Sequence, residues 1–142
     1  MNDPKKLMIN ALKQLLTPEL RARGFKGSFP HFHRLTQQRA DFLTIQFYSS
    51  GGSFVVEIAK AKLPIDKKIS HGVAVEKVTT AHFRDRYRLR SMPDRMGDDQ
   101  WFEFGARTYE PVQDQEPERY QNVAARVVPL LHSQAEPWWN AE

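Results

Sequence analysis

Four arginines stand at every second position of the segment AHFRDRYRLR, which covers residues 81–90. In an extended strand, side chains at alternate positions point to the same face. Guanidinium groups gathered on one face can bind phosphate through paired, charge-assisted hydrogen bonds. This spacing points to a nucleic-acid-binding or anion-binding face formed by Arg84, Arg86, Arg88 and Arg90, which we call the arginine row.

The neighbours of the arginine row favour a plainer interpretation. Phe83, Tyr87 and Leu89 alternate with the arginines and so face the core, which leaves the row without a stacking platform from its own strand. The segment that follows carries acids able to pair with the row across strands: Asp94, Asp98, Asp99 and Glu103. We predict a solvated, internally paired sheet face, with ligand binding by the row as the alternative. Whether Arg88 and Arg90 are held by acids or left free for a ligand decides between these two interpretations.

Two histidines of the segment HFH, His31 and His33, share a strand face because they lie two residues apart. With a third ligand such as His82 or Glu57 they form a weak candidate for a metal site. No third ligand follows at a local spacing. The pair is therefore predicted to be polar side chains on a solvated face, and no metal is predicted.

Signatures of catalysis are absent from the sequence. It has no Gly-x-Ser-x-Gly elbow, no phosphate loop and no dinucleotide fingerprint. It also has no cysteine, which excludes thiol nucleophiles, thiolate zinc sites and disulfides. We predict no cofactor and favour binding over catalysis. An enzyme that uses the arginines as an anion pocket is the third hypothesis.

Length and composition predict one globular domain over residues 1–142, with 40% hydrophobic and 27% charged residues. No apolar run is long enough to span a membrane, so we expect a cytoplasmic protein. Charge is segregated: residues 1–40 hold eight lysines and arginines against two acids, and residues 111–142 hold two arginines against five acids. This distribution indicates two oppositely charged surfaces, not one broad nucleic-acid footprint.

Periodicity predicts the elements that position these residues. Asp3 and Pro4 begin a helix whose leucines recur at helical spacing up to Gly24, and Pro18 predicts either a kink or two short helices. Residues 62–80 fit either a loop or a short strand. Alternation with a period of two predicts strands at 27–35, 40–50, 53–61, 82–90 and 100–106.

The last third of the chain predicts a turn at 91–99, a linker at 109–118 and a second helix from Pro117, kinked or ended early by Pro129. The pair Trp138 and Trp139 is expected to dock onto an edge of the core. The order of elements predicts an α+β fold. It consists of an antiparallel sheet of about five strands, with an N-terminal and a C-terminal helix packed on one face.

Several short motifs resemble a bacterial family of domains of unknown function, the one numbered 4304. A leading helix is followed by a glycine–phenylalanine–lysine turn, a Phe-x-Arg strand and a strand that ends near a glutamine. In this sequence those positions are Gly24, Phe25, Lys26, Phe32, Arg34 and Gln46. Later motifs, an arginine strand and an acidic loop before an aromatic pair, correspond to Arg88 or Arg90, Asp99, Trp101 and Phe102. Phe102 departs from the second tryptophan that is common there.

The resemblance covers nearly the whole chain and implies the fold and a bacterial origin, but it implies no activity. An immunity-type role beside a toxin follows only by analogy with other small bacterial domains. The candidate ligand-binding residues are Arg84, Arg86, Arg88, Arg90 and Gln46.

The partner expected from the sequence is another protein, or a second copy in a homodimer. Concentrated aromatic residues motivate this expectation, since tyrosine and tryptophan are favoured at interfaces. They are Trp101, Phe102, Phe104, Tyr109, Trp138 and Trp139. Nucleic acid, bound by the arginine row and the N-terminal lysines, is the alternative partner.

Overall fold

The computed structural model describes residues 3–91, 99–107 and 117–141. The helices are α1 (Pro4–Ala22), α2 (Lys67–Ser70), α3 (Pro117–Leu130) and α4 (Glu136–Asn140). The strands are β1 (Lys26–Ser28), β2 (His31–Leu35), β3 (Arg39–Phe47), β4 (Gly51–Lys62), β5 (Tyr87–Arg88) and β6 (Phe102–Arg107). Two 3-10 turns, Val75–Lys77 and Thr80–His82, and a π-helical turn, Leu131–Ala135, join them. Within these ranges, no helix has the length and apolar character needed to cross a membrane.

The sheet is antiparallel and centred on β4. Strands β1 to β4 follow one another in chain order, and β5 and β6 both pair with β4. β6 pairs near Ser53 and Phe54, whereas β5 pairs at Glu57 and Ile58. Helices α1 and α3 pack against each other and against the sheet. The predicted α+β fold, an antiparallel sheet with an N-terminal and a C-terminal helix on it, is confirmed.

Helix α1 begins as the sequence predicts. The Asp3 carboxylate accepts a hydrogen bond of 3.0 Å from the backbone N–H of Lys5, and Pro4 occupies the first turn, where its missing N–H costs nothing. The helix runs without interruption through Pro18, so the alternative of two short helices is wrong. Because Pro18 lies on the exposed side, the backbone carbonyl that it leaves without a partner can reach water.

The main core lies between the helices and one face of the sheet, which we call the helix face. Alternate residues of the central strands point into it, including Leu43, Ile45, Val56 and Ile58. They meet the buried stripe of α1, namely Met8, Ala11, Leu12, Leu16 and Leu20. Full burial of each large apolar side chain contributes about 1.5–3 kcal/mol, so this core dominates stability.

The opposite face of the sheet, the open face, is partly covered by the segment 63–83. A small second core forms there around Phe42, Ala59, Val78 and Phe83. The segment consists of α2 and the two 3-10 turns, so the short strand considered within 62–80 is absent. In the second turn, Thr79 and His82 cap each other through side-chain and backbone hydrogen bonds, which favours a turn over an extended strand.

The predicted strand 82–90 is much shorter than expected. Only Tyr87–Arg88 pairs with β4: β6 occupies the Gly51–Phe54 end of the same edge, and the chain before Tyr87 follows the 3-10 turn Thr80–His82 without joining the sheet. The predicted strand 27–35 is also divided, since a turn at Phe29 and Pro30 separates β1 from β2. Strands predicted at 40–50, 53–61 and 100–106 correspond to β3, β4 and β6.

The C-terminal elements close the helix face. Helix α3 begins at Pro117 as predicted and ends at Leu130, one residue after Pro129. Trp139 of α4 is fully buried, and its indole N–H donates to the carbonyl of Ala59 at 3.1 Å. Trp138 is half-buried and stacks on Tyr87, at 6.2 Å between ring centroids. The predicted linker and most of the predicted turn at 91–99 lie outside the described residues.

Gly27 offers a direct test of the turn between β1 and β2. Its φ of +98° is strained for other residues, and a Cβ there would lie 2.6 Å from the backbone oxygen of His31. We expect Gly27→Ala to lower the free energy of unfolding by about 2–4 kcal/mol, through backbone strain and this clash. Denaturant unfolding followed by circular dichroism measures the change.

Gly72→Ala is the matched control for this test. Gly72 has a φ of +80° but nothing within 4 Å of the position of an added Cβ, so only the backbone strain of about 1–2 kcal/mol applies. Equal losses in the two variants would contradict the close packing of this turn.

A candidate anion site on the open face

The four arginines of the row line one depression on the open face, which we call the arginine depression. Its cavity volume is about 470 Å³. Antiparallel pairing of β5 with β4 sends Tyr87 toward the helix face and Arg88 beside Glu57 on the open face. Leu89 is fully buried in the main core and anchors the segment. The remaining lining residues are Glu57, Tyr87, Asp99 and Gln100.

Glu57 is the central acid of this depression, although its residue is only 3% exposed. Its carboxylate accepts a hydrogen bond of 3.0 Å from Arg88 Nε and forms a looser ion pair of 3.6 Å with Arg86 Nη1. The Thr80 hydroxyl donates to the same carboxylate at 3.4 Å. A carboxylate this deeply buried needs such partners, because an isolated charge in the interior is strongly destabilising.

Arg90 is held from two sides. Its Nε donates to the Asp99 carboxylate at 2.7 Å. Its backbone N–H donates to the side-chain carbonyl of Gln134 at 2.7 Å, and its backbone carbonyl accepts from the Gln134 amide at 2.9 Å. The acid pairing predicted from sequence is therefore found for Asp99 and Arg90. The partner of Arg88 is Glu57, not Glu103, which is exposed and forms no ion pair within the described residues.

The terminal guanidinium nitrogens of the row make few contacts with the described residues. Arg88 and Arg90 bind their carboxylates through Nε, and Arg86 makes only the 3.6 Å contact. Arg84 is exposed and, in the part of the chain that the structure describes, forms no ion pair. The depression therefore presents guanidinium N–H donors to a ligand while the buried carboxylates fix the direction of two of its arginines.

Two aromatic side chains lie next to the depression, outside its lining. Trp101 lies beside Arg88, whose guanidinium carbon is 5.9 Å from the ring centroid. Tyr48, 41% exposed, meets Trp101 edge to face at 5.4 Å. The arginine strand itself carries no platform, as predicted, but the chain entering β6 supplies one. Gln46 is exposed and lies on the same face, two β3–β4 pairs away from Glu57 and outside the lining of the depression.

Of the predicted histidine pair, His31 belongs to a polar row that crosses the open face, and His33 lies opposite Phe42. His31, Thr44, Glu57 and Arg88 are in direct register on four successive strands. The His31 ring is 3.0 Å from the Thr44 hydroxyl. Burial lowers the pKa of His31, which favours the neutral imidazole at pH 7. This ring therefore adds no positive charge to the polar row.

His31 is exposed as predicted, but His33 is only 8% exposed, so the prediction of a solvated face is wrong for His33. Burial has the largest effect on the pKa of His33 and lowers it; Glu76 acts in the opposite direction, and Lys26 and Arg21 add smaller effects that lower it further. Across residues 3–91, 99–107 and 117–141, no group of three or more His, Cys, Asp or Glu residues is placed to hold a metal ion.

The N-terminal lysines lie apart from the arginine row. They belong to α1, which packs on the helix face, and Lys5 and Lys13 sit over the rings of Phe47 and Phe29 at 5.4 and 6.0 Å. The continuous basic surface required by the nucleic-acid hypothesis is therefore split between two sides of the molecule.

A second charged cluster explains the Phe-x-Arg motif. The Arg34 guanidinium lies between the rings of Phe25 and Trp139, at 4.7 and 5.1 Å. It donates to Asp41 at 2.7 Å and to Glu136 at 2.7 Å. Burial acts to lower the pKa of Arg34, but these hydrogen bonds outweigh it and raise the pKa above its ordinary value. The cluster ties α4 to β2 and β3, and its role is structural.

Sequence reasoning missed two partners of the row. Glu57 was considered only as a metal ligand, although an acid within the apolar strand SFVVEIAKA is a signal that a basic partner lies opposite. Gln134 carries no sequence signal, because it reaches Arg90 only after the helices have packed. Of the predicted aromatic set, Phe102, Phe104 and Trp139 are core, and Tyr109 lies outside the described residues.

The Arg34 cluster predicts a pH dependence of stability. The hydrogen bond from Arg34 holds the pKa of Glu136 below its ordinary value of 4.5. The contribution of this carboxylate is therefore complete above pH 4.5 and is lost as pH falls through the lowered pKa. We expect Glu136→Gln to destabilise the protein by about 1–3 kcal/mol at pH 7 and to weaken its loss of stability in acid. Urea unfolding between pH 7 and pH 3 measures both effects.

The exposed Glu19 of α1 provides the control as Glu19→Gln. This variant is expected to keep the acid dependence of the parent protein. If Glu136→Gln also kept that dependence unchanged, the assigned role of Glu136 would be wrong.

The comparisons with known proteins agree with the fold. No curated protein and no solved structure matched the chain in the two searches for individual relatives. Residues 16–141 match a family described as "Domain of unknown function (DUF4304)". This match covers strands β1 to β6, the arginine row and the C-terminal helices. The chain belongs to the DUF4304 family of domains of unknown function.

Proposed function

We propose that this protein acts by binding and that its partner is a protein carrying a short acidic segment. The observation that supports this proposal is the arginine depression, in which four guanidinium groups face a volume of about 470 Å³. The two carboxylates of the lining are already engaged by arginines of the row. The depression is a place for carboxylate or phosphate groups brought by another molecule.

Charge in the depression favours an anionic partner. Four arginines and two acids line it, so an excess of two positive charges remains. A concave surface lined by one sign of charge raises the local concentration of oppositely charged groups and speeds their association. Side-chain exposure of 37% for Arg86 and 43% for Arg90 leaves both guanidiniums accessible from solvent.

The extent of the basic surface favours a short segment over a long nucleic acid. A bound polynucleotide follows a track of phosphate contacts, and the lysines of α1 lie on the other side of the sheet. The depression is bordered instead by Tyr48 and Trp101, residue types that are enriched with arginine at the energetic centres of protein interfaces. An acidic protein segment can use the arginines and the aromatic border together.

Binding of a capped hexaglutamate peptide tests this proposal. We expect measurable binding at low salt, weakened at least tenfold in the double variant Arg84→Ala/Arg86→Ala, because two charge-assisted contacts are lost. Isothermal titration calorimetry at two salt concentrations measures it. Both substituted side chains are exposed, so the fold is expected to survive the change.

Arg126→Ala is the matched control, since it removes an exposed arginine of α3 that lies outside the depression. It should bind hexaglutamate as the parent protein does. Mixed single-stranded DNA and RNA are titrated alongside. Stronger binding of nucleic acid, lost on substitution of Lys6 and Lys13, would overturn the proposal in favour of a nucleic-acid partner.

A further inference from the structure

We propose that the arginine depression is a phosphomonoester site, so that the acidic partner segment presents a phosphorylated side chain. This inference rests on the proposed function and makes it more specific. It is carried by the donors that the row leaves available, by the way two of the arginines are fixed, and by the net charge of the lining.

The available donors suit a phosphate group. Arg88 and Arg90 use their Nε atoms for Glu57 and Asp99, which leaves their terminal nitrogens without a hydrogen bond to any described residue. Arg84 and Arg86 add further terminal nitrogens to the same depression. A carboxylate has two oxygens and is satisfied by one guanidinium fork, whereas a phosphomonoester offers three terminal oxygens and can accept from several arginines at once.

The site is organised before a ligand arrives. Glu57 is buried within β4 and fixes Arg88, and the Gln134 amide clamps the backbone of Arg90 from the C-terminal helical region. Fixing a long side chain on binding normally costs conformational entropy, and here part of that entropy is already lost on folding. Glu57 and Asp99 act as positioning residues for the arginines.

The net charge of the lining matches a phosphomonoester. Four guanidiniums less two carboxylates leave two positive charges. A phosphorylated side chain carries a charge of about −1.5 to −2 at pH 7, whereas a glutamate carries one negative charge. One phosphomonoester therefore neutralises this excess of positive charge. Two separate glutamates would be needed to do the same.

Three capped pentapeptides test the inference, each with a central residue between pairs of glycines. The central residue is phosphoserine, glutamate or serine, and adenosine monophosphate is titrated in parallel. Shifts of the arginine Nε–H and backbone N–H signals in ¹H–¹⁵N spectra report binding. We expect the phosphoserine peptide to bind at least about tenfold more tightly than the glutamate peptide, and the serine peptide not to bind.

Conservative variants sharpen this test. Arg84→Lys/Arg86→Lys keeps both charges and removes the guanidinium forks, so the preference for phosphoserine over glutamate is expected to disappear. Arg126→Ala should keep the preference at its full size. Unchanged preference in the double lysine variant would overturn the inference.

The remaining outcomes separate this inference from the proposed function. Equal affinity for the phosphoserine and glutamate peptides would overturn the phosphomonoester site while leaving binding of an acidic segment intact. Failure of both peptides and of hexaglutamate would overturn both proposals. Tighter binding of adenosine monophosphate than of phosphoserine would assign the site to a nucleotide and overturn the phosphorylated protein segment.

Discussion

The hydrogen-bonding edge of β4 is the constraint on which the rest of the structure depends. This strand has β3 on one side and must share its other side between β5 and β6. Its residues from Gly52 to Ala59 are all buried, because the helices cover one face and the segment 63–83 covers part of the open face. β6 limits β5 on one side and the 3-10 turn Thr80–His82 precedes it on the other, so β5 has two paired residues and the neighbouring arginines lie outside regular strand.

A buried carboxylate in the middle of such a strand is destabilising unless cations compensate it. Loss of one partner from a buried charge pair typically costs about 3–5 kcal/mol, so the fold requires arginines close to Glu57. The same requirement brings their unused donors to one spot on the surface. Stability and the placement of these donors therefore have a common physical origin in this molecule, and a substitution at Glu57 affects both.

The features that could be predicted from sequence are the local ones. The leucine spacing and Asp3 cap of α1, and the alternation in β3 and β4, follow from single-residue geometry, and they were sufficient for the fold class. The alternation of Arg88 and Arg90 with Leu89 also gave their side of the chain, whereas Phe83 packs in the second core on the open face, contrary to that alternation. The partner of Arg88 could not be predicted, because the register between β4 and β5 depends on how the whole fold places segment 84–90 against that edge. The length of β5 depends on the same tertiary packing.

The π-helical turn Leu131–Ala135 has a consequence for how this family can vary. A helix advances about 100° per residue, so one residue more or less in this turn would rotate everything after it. Gln134 must point at the backbone of Arg90 while, on the same face of the sheet, Glu136 pairs with Arg34 of β2 and Trp139 donates to Ala59 of β4. The π-helical turn therefore sets the rotation of Gln134 relative to the residues that follow it. Relatives that shorten it by one residue would have to give up one attachment or the other.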